Sequence, residues 1–310
     1  MYGKFFGLHE VVIGNTCIKE ESNMAIKMEY QTLRSGAKVP MVGLGTYQAT
    51  KEECINAVRS AIDIGYRHID TANFYENEKF VGEAIRECGI DRSELFVTSK
   101  IWPTSFKTPE VAIEYSMRAL NIDYIDMYLL HWPSQNEYAR YHAFETLLKY
   151  KEKGYFKEIG VSNFKIEHLK PLMEKFGMAP AMNQIELSPW LQKREDFDFC
   201  KENGIVMTAC VPFAKGKILN DPELTKIAEA HGKNVGQVIL RWDIQRGNCV
   251  VPKSSKASRI ASNVDIFDFE LSQEEMDIIF GMENGNHYCS DSSVFTGDFW
   301  NIEDHLLNQE

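Results

Sequence analysis

Four polar residues stand where apolar runs of the sequence end, and their side chains could together reduce a carbonyl. The runs RHIDTANFYENE, LFVTSKIW and DMYLLHWP contain Asp70, Tyr75, Lys100 and His131. Short apolar or β-branched runs that end in polar residues are typical of the carboxyl ends of strands. Amphipathic stretches separate the three runs, so we expect the four side chains to meet at one end of a barrel.

Carbonyl reduction needs a hydride on one face and a proton for the oxygen that becomes an alcohol. A free tyrosine has a pKa of about 10 and donates slowly at neutral pH, but a nearby ammonium stabilises the phenolate. Lys100 could be that ammonium for Tyr75, with Asp70 keeping the lysine charged and in place. His131 could orient the substrate oxygen through an imidazole N–H. Because no side chain donates a hydride, a cofactor must supply it.

Each of the four residues also has an ordinary structural explanation. Asp70 could make a strand-end hydrogen bond, Tyr75 could be a loop aromatic, Lys100 a surface charge and His131 a packed ring. These explanations weaken when the four are taken together, because active sites of barrels gather at the carboxyl ends of the strands. Three consecutive strand ends here contribute complementary groups.

A regular alternation of strand-like and helical patterns positions these residues. The first strand falls at about residues 41–45, and further runs are YRHID, LFVTSK, YIDMYLL, FKEIGVS, AMNQIE, IVMTACV and NCVVPKS. Apolar residues at helical spacing fill the gaps, for example in KEECINAVRSAIDIG, EKFVGEAIRECG, PEVAIEYSMRALN, AFETLLKYKEKG, IEHLKPLMEKFG and NVGQVILRWDIQRG. This order predicts parallel strands with right-handed crossovers, closed into a (β/α)8 TIM barrel of the α/β class.

An open doubly wound sheet is the structural alternative, but GLGTYQ lacks the third glycine of its fingerprint. Before the barrel, IKMEYQTLRSGAKVP predicts a β-hairpin that turns at RSGAK.

The tail from about Asn284 carries Tyr288, Phe295, Phe299 and Trp300. We expect this C-terminal loop to pack over the active-site end, although a surface-packed tail without a catalytic role is nearly as well supported.

The composition favours one large core. The 310 residues are 44% hydrophobic and predict a single barrel domain over residues 25–310, preceded by an extension of unknown role over residues 1–24. A net charge of -11 argues against a nucleic-acid or membrane partner. No apolar run reaches the roughly 20 residues of a membrane helix, and the first residues resemble neither a signal nor a transit peptide. Seven scattered cysteines fit a reducing compartment, so we expect a cytoplasmic protein.

The motifs taken together resemble the aldo-keto reductases over about residues 28 to 290. The matching strings are GLGTYQ, DTANFYENE, LFVTSKIW, YLLHWP, GVSNF, NQIE and VPKSSKASRIASN. Within that family the chain looks most similar to the aldose and aldehyde reductases, monomeric barrels that use NADPH. The resemblance implies that Tyr75 donates the proton, that Lys100 and Asp70 tune it, and that His131 orients the carbonyl. It predicts a monomeric NADPH-dependent reductase of aldehydes, and possible aldose or ketone substrates.

The same resemblance implies a cofactor site along the later strands. It places Ser162, Asn163 and Gln184 under the nicotinamide carboxamide, where neutral groups can fix one ring face toward the substrate. Without the resemblance, simple strand-end capping explains these residues equally well. The other implied cofactor residues are Thr46, Asp70, Cys210, Pro212, Phe213, Lys253, Ser254, Arg259 and Asn263.

A local basic patch stands out in this acidic chain. Lys253, Lys256 and Arg259 gather at the start of the last barrel helix, and the resemblance assigns Lys253, Ser254, Arg259 and Asn263 to the adenosine 2'-phosphate. Helix N-termini and this part of the fold favour phosphates, and a guanidinium can add bidentate contacts. The patch predicts NADPH in preference to NADH, with a solvated basic face as the alternative.

The resemblance also places aromatic residues around a substrate pocket. Tyr47, Phe74, Trp102 and Trp132, together with His131, would line it, which favours apolar or mixed aldehydes. Core or rim packing is the ordinary explanation for these rings. The stretch WPSQNEYARYHAF, taken as the connection to the next helix, is short beside that of the animal aldose reductases and predicts an open pocket mouth.

One segment departs from the family pattern. Where the family usually has an aromatic residue and then Ser-Pro-Leu, this chain has Cys210, Val211, Pro212 and Phe213. Cys210 lacks the aromatic surface that stacks on the nicotinamide, and Val211 lacks the hydroxyl often directed at the pyrophosphate. We expect either that Phe213 or another neighbour compensates in part, or that the cofactor binds more loosely.

Two other functional classes compete with a reductase. His68 and Asp70 on one strand could be metal ligands of a barrel hydrolase or isomerase, but the sequence has no HxH or HExxH pair, so we expect no metal. A sensor that keeps the fold and the cofactor but turns over poorly is the second class. The complete set of four catalytic residue types favours turnover, whereas the altered segment at Cys210 and Val211 favours the sensor.

Overall fold

A computed structural model describes residues 26–302 and residue 305. The predicted extension over residues 1–24 therefore lies outside the described residues. The described part begins with a hairpin of β1 (Tyr30–Thr32) and β2 (Lys38–Pro40), paired antiparallel. Gly36 takes a φ of 90° in the turn, a left-handed conformation that costs glycine little because it has no β-carbon. The predicted hairpin is confirmed.

Eight parallel strands follow the hairpin and close into a barrel. Their order in the sheet is their order in the chain, and parallel bridges from Val42 to Val250 and from Gly45 to Lys253 join the last strand to the first. The closed sheet confirms the TIM barrel. The strands are β3 (Leu44–Gly45), β4 (His68–Asp70), β5 (Phe96–Ile101), β6 (Ile125–Leu130), β7 (Phe156–Ser162), β8 (Met182–Glu186), β9 (Val206–Cys210) and β10 (Cys249–Val250).

Helices alternate with these strands and cover the outside of the barrel. They are α1 (Lys51–Ile64), α2 (Glu78–Glu87), α3 (Pro109–Leu120), α4 (Glu137–Glu152), α5 (Ile166–Phe176), α6 (Arg194–Glu202), α7 (Pro222–Ala230), α8 (Val235–Gln245), α9 (Ala257–Val264) and α10 (Gln273–Phe280). The quoted helical patterns correctly locate α1 to α5 and α8. Sustained apolar periodicity is the signal that these helices share.

The start of α4 differs from the sequence prediction. The helix begins at Glu137, not at Ala143, because the side chain of Asn136 caps it by accepting a hydrogen bond from the Ala139 N–H at 3.1 Å. The stretch WPSQNEYARYHAF is therefore mostly helix. The connection after β6 spans only residues 131–136, even shorter than predicted.

The core fills the barrel and the layer between barrel and helices. All six residues of β5 are buried, as expected for a parallel strand covered on both faces. The helices α2 and α3 approach so closely that a β-carbon on Gly82 would lie 1.9 Å from the carbonyl oxygen of Leu120. This contact packs the middle of α2 against the end of α3, and α2 begins at Glu78, three residues after Tyr75.

The C-terminal tail crosses the barrel end to which the strands point. Trp102 Nε1 donates to the carbonyl oxygen of Gly297 at 2.8 Å, and Thr104 Oγ1 donates to that of Trp300 at 2.9 Å. The predicted packing of the tail over the active-site end is confirmed. No helix in the described part of the chain is long and apolar enough to cross a membrane.

Candidate active site

The four predicted catalytic residues meet at the carboxyl ends of three neighbouring strands. Asp70 is the last residue of β4, and Lys100 lies near the end of β5. His131 follows β6 directly, and Tyr75 ends a short 3-10 helix, Asn73–Tyr75, that follows β4. Their convergence is a consequence of parallel strands that end at the same rim.

The ammonium of Lys100 is the centre of this group. It is fully buried and donates to Asp70 Oδ1 at 2.6 Å, to the carbonyl oxygen of Thr71 at 2.8 Å and to Tyr75 Oη at 3.4 Å. An ammonium has three N–H donors, so each one has an oxygen partner. The buried charge is thereby compensated and held beside the phenol.

Asp70 is held from the opposite side of the barrel. Gln184 Nε2 donates to Asp70 Oδ2 at 2.7 Å, so the two carboxylate oxygens accept from Gln184 and Lys100 separately. Sequence reasoning placed Gln184 only in the cofactor site and missed this contact. The signal available was the position of Gln184 inside β8, where alternate side chains point into the barrel.

Burial and charge act on the phenol of Tyr75 in the direction opposite to the prediction. Its pKa is raised well above the ordinary tyrosine value, mainly by burial and then by the negative charge of Asp70. The ammonium of Lys100 lies 2.6 Å from Asp70 Oδ1 and 3.4 Å from Tyr75 Oη, so Asp70 compensates most of its charge. At neutral pH Tyr75 is therefore protonated, the form that can give up a proton.

His131 is a neutral imidazole with unused hydrogen-bonding capacity. Burial and then the charge of Lys100 hold its pKa well below the ordinary histidine value. A neutral imidazole has one N–H donor and one acceptor nitrogen. Its Nδ1 is buried without a hydrogen-bond partner among the described residues, and its ring lies 5.5 Å from that of Tyr75, centre to centre.

The predicted substrate residues surround the phenol. The ring of Tyr47 lies 5.0 Å from that of Tyr75, and Phe74 stacks on Trp102 with the ring centres 3.9 Å apart. Trp102 in turn lies edge-on to His131, at 5.0 Å. These rings form an apolar wall on one side of the four polar groups.

The tail completes the wall with residues that sequence reasoning did not assign to the site. Phe295 stacks on Trp132 with the ring centres 4.2 Å apart, and Phe299 and Trp300 lie 5.8 and 5.6 Å from Phe74. The unusual density of aromatic residues after the last helix was the available signal. It indicated packing over a barrel end but not which rings would meet.

The side chains predicted to lie under the nicotinamide are brought together at the ends of β7 and β8. Ser162 Oγ donates to the carbonyl oxygen of Gln184 at 2.8 Å, and Asn163 Nδ2 donates to Ser162 Oγ at 3.1 Å and to the carbonyl oxygen of His131 at 2.9 Å. Thr46 Oγ1 donates to the carbonyl oxygen of Asp70 at 3.0 Å. All four residues make strand-end hydrogen bonds, and they border the polar group around Tyr75.

The altered segment after β9 has a strained backbone. Val211 takes a φ of 54°, a left-handed conformation that is rare for a β-branched residue. Pro212 is buried and Phe213 half-buried, and the ring of Phe213 packs against Gly236 of α8. Cys210 is half-buried at the end of β9. Strain of this kind persists only where the surrounding structure enforces it.

The basic patch lies around the start of α9. Lys253, Lys256 and Arg259 are exposed, whereas Ser254 and Asn263 are buried. None of the three cations forms an ion pair with a residue of the described ranges. Exposed, unpaired cations next to a helix N-terminus suit a ligand phosphate, so this part of the chain fits a phosphorylated cofactor.

His68, considered as a metal ligand, has other partners. Its Nδ1 lies 3.3 Å from the carbonyl oxygen of Pro40 and its Nε2 lies 3.0 Å from Thr98 Oγ1. Burial lowers its pKa to about 4. Within residues 26–302 and residue 305, no group of three or more His, Cys, Asp or Glu could hold a metal ion.

Comparison with known proteins identifies the family. The profile of the aldo/keto reductase family matches residues 41–283, so this chain belongs to that family of oxidoreductases. It is 46% identical over 251 residues to glyoxal reductase of Bacillus subtilis (strain 168), covering 80% of this chain and 90% of that protein. It is 37% identical over 267 residues to methylglyoxal reductase DkgA of Escherichia coli (strain K12), covering 86% and 97%.

A solved structure supports the same conclusion. The crystal structure of a Gox0644 mutant in complex with NADPH is similar with a TM-score of 0.83 at 34% identity, covering 86% of this chain and 98% of that chain. The predicted family and barrel are thus confirmed. The named relatives reduce glyoxal or methylglyoxal, whereas the sequence suggested the aldose and aldehyde reductases within the family.

Proposed function

We propose that the protein is an NADPH-dependent reductase that converts a small carbonyl compound to an alcohol, with Tyr75 as the proton donor. The hydrogen-bonded chain from Asp70 through Lys100 to Tyr75 Oη is the observation that carries this proposal. It puts a protonated phenol beside a held ammonium, under an aromatic wall. This arrangement can protonate an oxygen that gains charge during reduction.

Each polar residue has a separate role. Tyr75 gives its proton to the carbonyl oxygen, and the ammonium of Lys100, 3.4 Å away, stabilises the phenolate that remains. Asp70 holds Lys100 in place, and the neutral imidazole of His131 donates a hydrogen bond that orients the substrate oxygen. NADPH, when bound, supplies the hydride.

The residues of this chain fit NADPH. Lys253, Ser254, Arg259 and Asn263 would hold the 2'-phosphate, because the two cations are exposed at the start of α9. On the nicotinamide side, Ser162, Asn163 and Gln184 would hold the carboxamide, and Thr46, Asp70, Cys210, Pro212 and Phe213 would border the rest of the cofactor. The relative Gox0644 crystallised with NADPH supports this choice.

For the substrate we propose a small α-dicarbonyl such as methylglyoxal. Two relatives are named for glyoxal and methylglyoxal. Tyr47, Phe74, Trp102, His131 and Trp132 would line its pocket. The aldose or aldehyde reductase type is the broader expectation from the sequence. We also propose one barrel domain over residues 25–310, acting as a cytoplasmic monomer with neither nucleic acid nor membrane as a partner.

Cofactor oxidation in the presence of different carbonyls tests the proposal. The purified protein is assayed with NADPH and with NADH against glyoxal, methylglyoxal, a benzaldehyde and an aldose. We expect turnover with the dicarbonyls and a preference for NADPH. Turnover with NADH alone would contradict the role of the basic patch.

A cofactor-binding sensor is the second candidate, and the strained segment at Cys210 and Val211 favours it. Binding of NADPH is therefore measured in parallel by the change in its fluorescence. If NADPH binds but none of the carbonyls oxidises it, the result would support the sensor and contradict the enzyme. If even one carbonyl oxidises NADPH at a rate that depends on the carbonyl concentration, the result would support the enzyme.

A further inference from the structure

One buried amide lies close to the proton donor in the chain, and the proposed function does not use it. Asn77 follows Tyr75 by two residues and stands directly before α2. It is only 2% exposed. An asparagine before a helix ordinarily accepts a hydrogen bond from the first helical turn. Among the described residues, the side chain of Asn77 makes no such capping bond, so capping does not explain its burial.

The amide instead joins the loops that follow β3 and β4. Its Nδ2 donates to the carbonyl oxygen of Thr46 at 2.8 Å and to that of Ala49 at 3.3 Å. Its Oδ1 accepts from Thr71 Oγ1 at 2.8 Å. A side-chain amide has two N–H donors and one carbonyl acceptor, so both ends of the group are used. These three bonds tie the start of α2 to both loops.

Through Thr71 the amide is connected to the buried ammonium. Thr71 follows Asp70 directly, and its N–H donates to the carbonyl oxygen of Thr98 at 2.9 Å. Its own carbonyl oxygen accepts from Lys100 Nζ at 2.8 Å. The main chain and the side chain of Thr71 are therefore both held, and the oxygen that binds the ammonium has a fixed position.

Through the other loop the amide holds a ring of the pocket wall. Tyr47 lies between Thr46 and Ala49, the two residues whose carbonyl oxygens accept from the amide. Its ring is 5.0 Å from that of Tyr75, centre to centre. Because Tyr75 is two residues before the same amide, the positions of both rings depend on it.

Two residues with a left-handed backbone border these contacts. Gln48, in the loop held by the amide, has a φ of 58°, and Glu76, next to Asn77 in the chain, has a φ of 55°. This conformation is uncommon for residues other than glycine, and it persists only where the surrounding structure enforces it. The three bonds of Asn77 lie beside both residues and can enforce it.

We propose that Asn77 is a positioning residue of the reductase, whose buried amide sets the distance between Tyr75 and Lys100 and holds Tyr47 against the phenol. A displacement of a reacting group by about 1 Å can lower a rate about 100-fold. We therefore expect kcat of Asn77→Ala to fall about 10- to 100-fold. The effect on turnover rests on the proposed function, whereas the effect on the position of Tyr75 does not.

The position of the phenol is tested first, without turnover. The full-length protein is labelled with fluorotyrosine, and the fluorine NMR resonance of Tyr75 is assigned by its loss in Tyr75→Phe. This resonance should move in Asn77→Ala and stay in place in the control Asn248→Ala. Asn248 is also buried and donates to Asp243 Oδ1 at 2.9 Å, but it stands directly before β10, at the opposite end of the barrel. An unmoved Tyr75 resonance in Asn77→Ala would overturn the proposal.

An isosteric variant provides a second test that does not depend on the folding of Asn77→Ala. Asn77→Asp keeps an acceptor for Thr71, but its ionised form puts a carboxylate oxygen against the carbonyl oxygen of Thr46. Burial raises the pKa of such a carboxyl, and the protonated acid regains one O–H donor. The kcat of Asn77→Asp relative to the wild type should therefore recover about tenfold or more between about pH 8 and about pH 5. A ratio that does not change with pH would overturn the proposal.

The two tests separate this inference from the proposed function. If the wild type oxidises NADPH with none of the carbonyls, the reductase is contradicted, and the fluorine resonance still decides whether Asn77 positions Tyr75. In an active protein, a kcat of Asn77→Ala within about twofold of wild type would overturn the positioning role in catalysis. The control Asn248→Ala should keep its kcat, because a loss of stability alone leaves the folded molecules active.

Discussion

The two sides of the barrel mouth are built in different ways. The proton-donor region, formed by Asp70, Tyr75, Lys100 and His131, consists of three buried side chains and the half-buried Tyr75, and their polar atoms are mostly paired inside the protein. The cofactor region, formed by residues 210–213 and 253–263, presents a left-handed backbone at Val211 and exposed, unpaired cations. One region is complete by itself, whereas the other offers groups to a ligand.

This difference shows where a sequence is informative. A buried hydrogen-bonded group tolerates few residue types, because each unpaired polar atom would cost roughly 1–3 kcal/mol. A backbone that binds a ligand imposes weaker demands on side chains, so Cys210 and Val211 can replace other residues. We therefore expect turnover to depend on the first region and cofactor affinity on the second.

Replacing the phenol gives the largest expected effect. Tyr75→Phe keeps the ring but removes the hydroxyl that Lys100 contacts, and we expect kcat to fall about 1,000-fold, within the range for general acid catalysis. Steady-state kinetics at saturating NADPH measure it. The control Tyr138→Phe changes a tyrosine that is 82% exposed and should retain full activity. A fall of less than about tenfold in Tyr75→Phe would remove Tyr75 as the proton donor.

A buried acid beneath the proton-donor region should cost stability at high pH. Glu78 accepts from Ser99, next to Lys100, and burial raises its pKa from 4.5 to about 7. In this window the folded protein holds a proton that the unfolded chain has lost, so stability falls as pH rises from 4.5 through 7. Glu78→Gln removes the titration and should be more stable than wild type by up to about 3 kcal/mol at pH 8, but not at pH 4.

Urea unfolding of the wild type and Glu78→Gln at several pH values measures this difference. The exposed Glu152 provides the matched control. The free energy of unfolding of Glu152→Gln should differ little from that of the wild type, and this difference should hardly vary with pH. If the stability advantage of Glu78→Gln over the wild type shrinks as pH rises, the folded protein stabilises the Glu78 carboxylate. That outcome would contradict the expectation that this ionised group is costly to bury beneath the proton-donor region.

Removing a cation from the cofactor region should change affinity and leave chemistry intact. For Arg259→Gln we expect the dissociation constant of NADPH to rise about 10- to 100-fold, since a hydrogen bond to a charged group is worth roughly 1.5–3 kcal/mol. NADH, which lacks the 2'-phosphate, should bind as before. Fluorescence titration with both cofactors measures the effect, and Arg118→Gln, on exposed α3 surface, is the control. An equal loss for NADH would contradict a phosphate role.

The smallest expected effect concerns the tail. Trp300 Nε1 donates to Glu76 Oε1 at 2.8 Å, and its ring faces Phe74 at 5.6 Å. Trp300→Ala should raise KM for the carbonyl about fivefold with little change in kcat, because an aromatic pair contributes roughly 1 kcal/mol. Trp300→Phe keeps an aromatic ring at this position, so its KM should lie between those of the wild type and Trp300→Ala. An unchanged KM in Trp300→Ala would exclude this ring from the pocket wall.

Most of the fold and the location of the site were predictable from the sequence. The eight strands were found because buried parallel strands are short continuous apolar runs. The helices α6 and α7 were not among the quoted patterns. The sequence of α6, REDFDFCKE, consists mostly of charged residues, and that of α7, PELTKIAEA, has few apolar positions. The end positions of Asp70 and Lys100 followed from strand ends alone.

Contacts across the barrel were not predictable. The bond from Gln184 to Asp70 joins residues 114 positions apart, and no local pattern reports it. The direction of the pKa shift of Tyr75 was wrongly expected for a related reason, because burial and the nearby charge of Asp70 raise this pKa. Contacts and pKa shifts of this kind depend on distances between atoms across the barrel, which the spacing of apolar residues along the sequence does not give.

We expect Tyr75 to act on the carbonyl and not on the cofactor. The most direct test is the dissociation constant of NADPH for Tyr75→Phe, measured by equilibrium fluorescence titration on the same preparation that lacks turnover. We predict a value within about twofold of wild type, because the lost hydroxyl stabilises only the reacting state. A dissociation constant that rises in parallel with the loss of turnover would contradict the claim and place Tyr75 in the cofactor region instead.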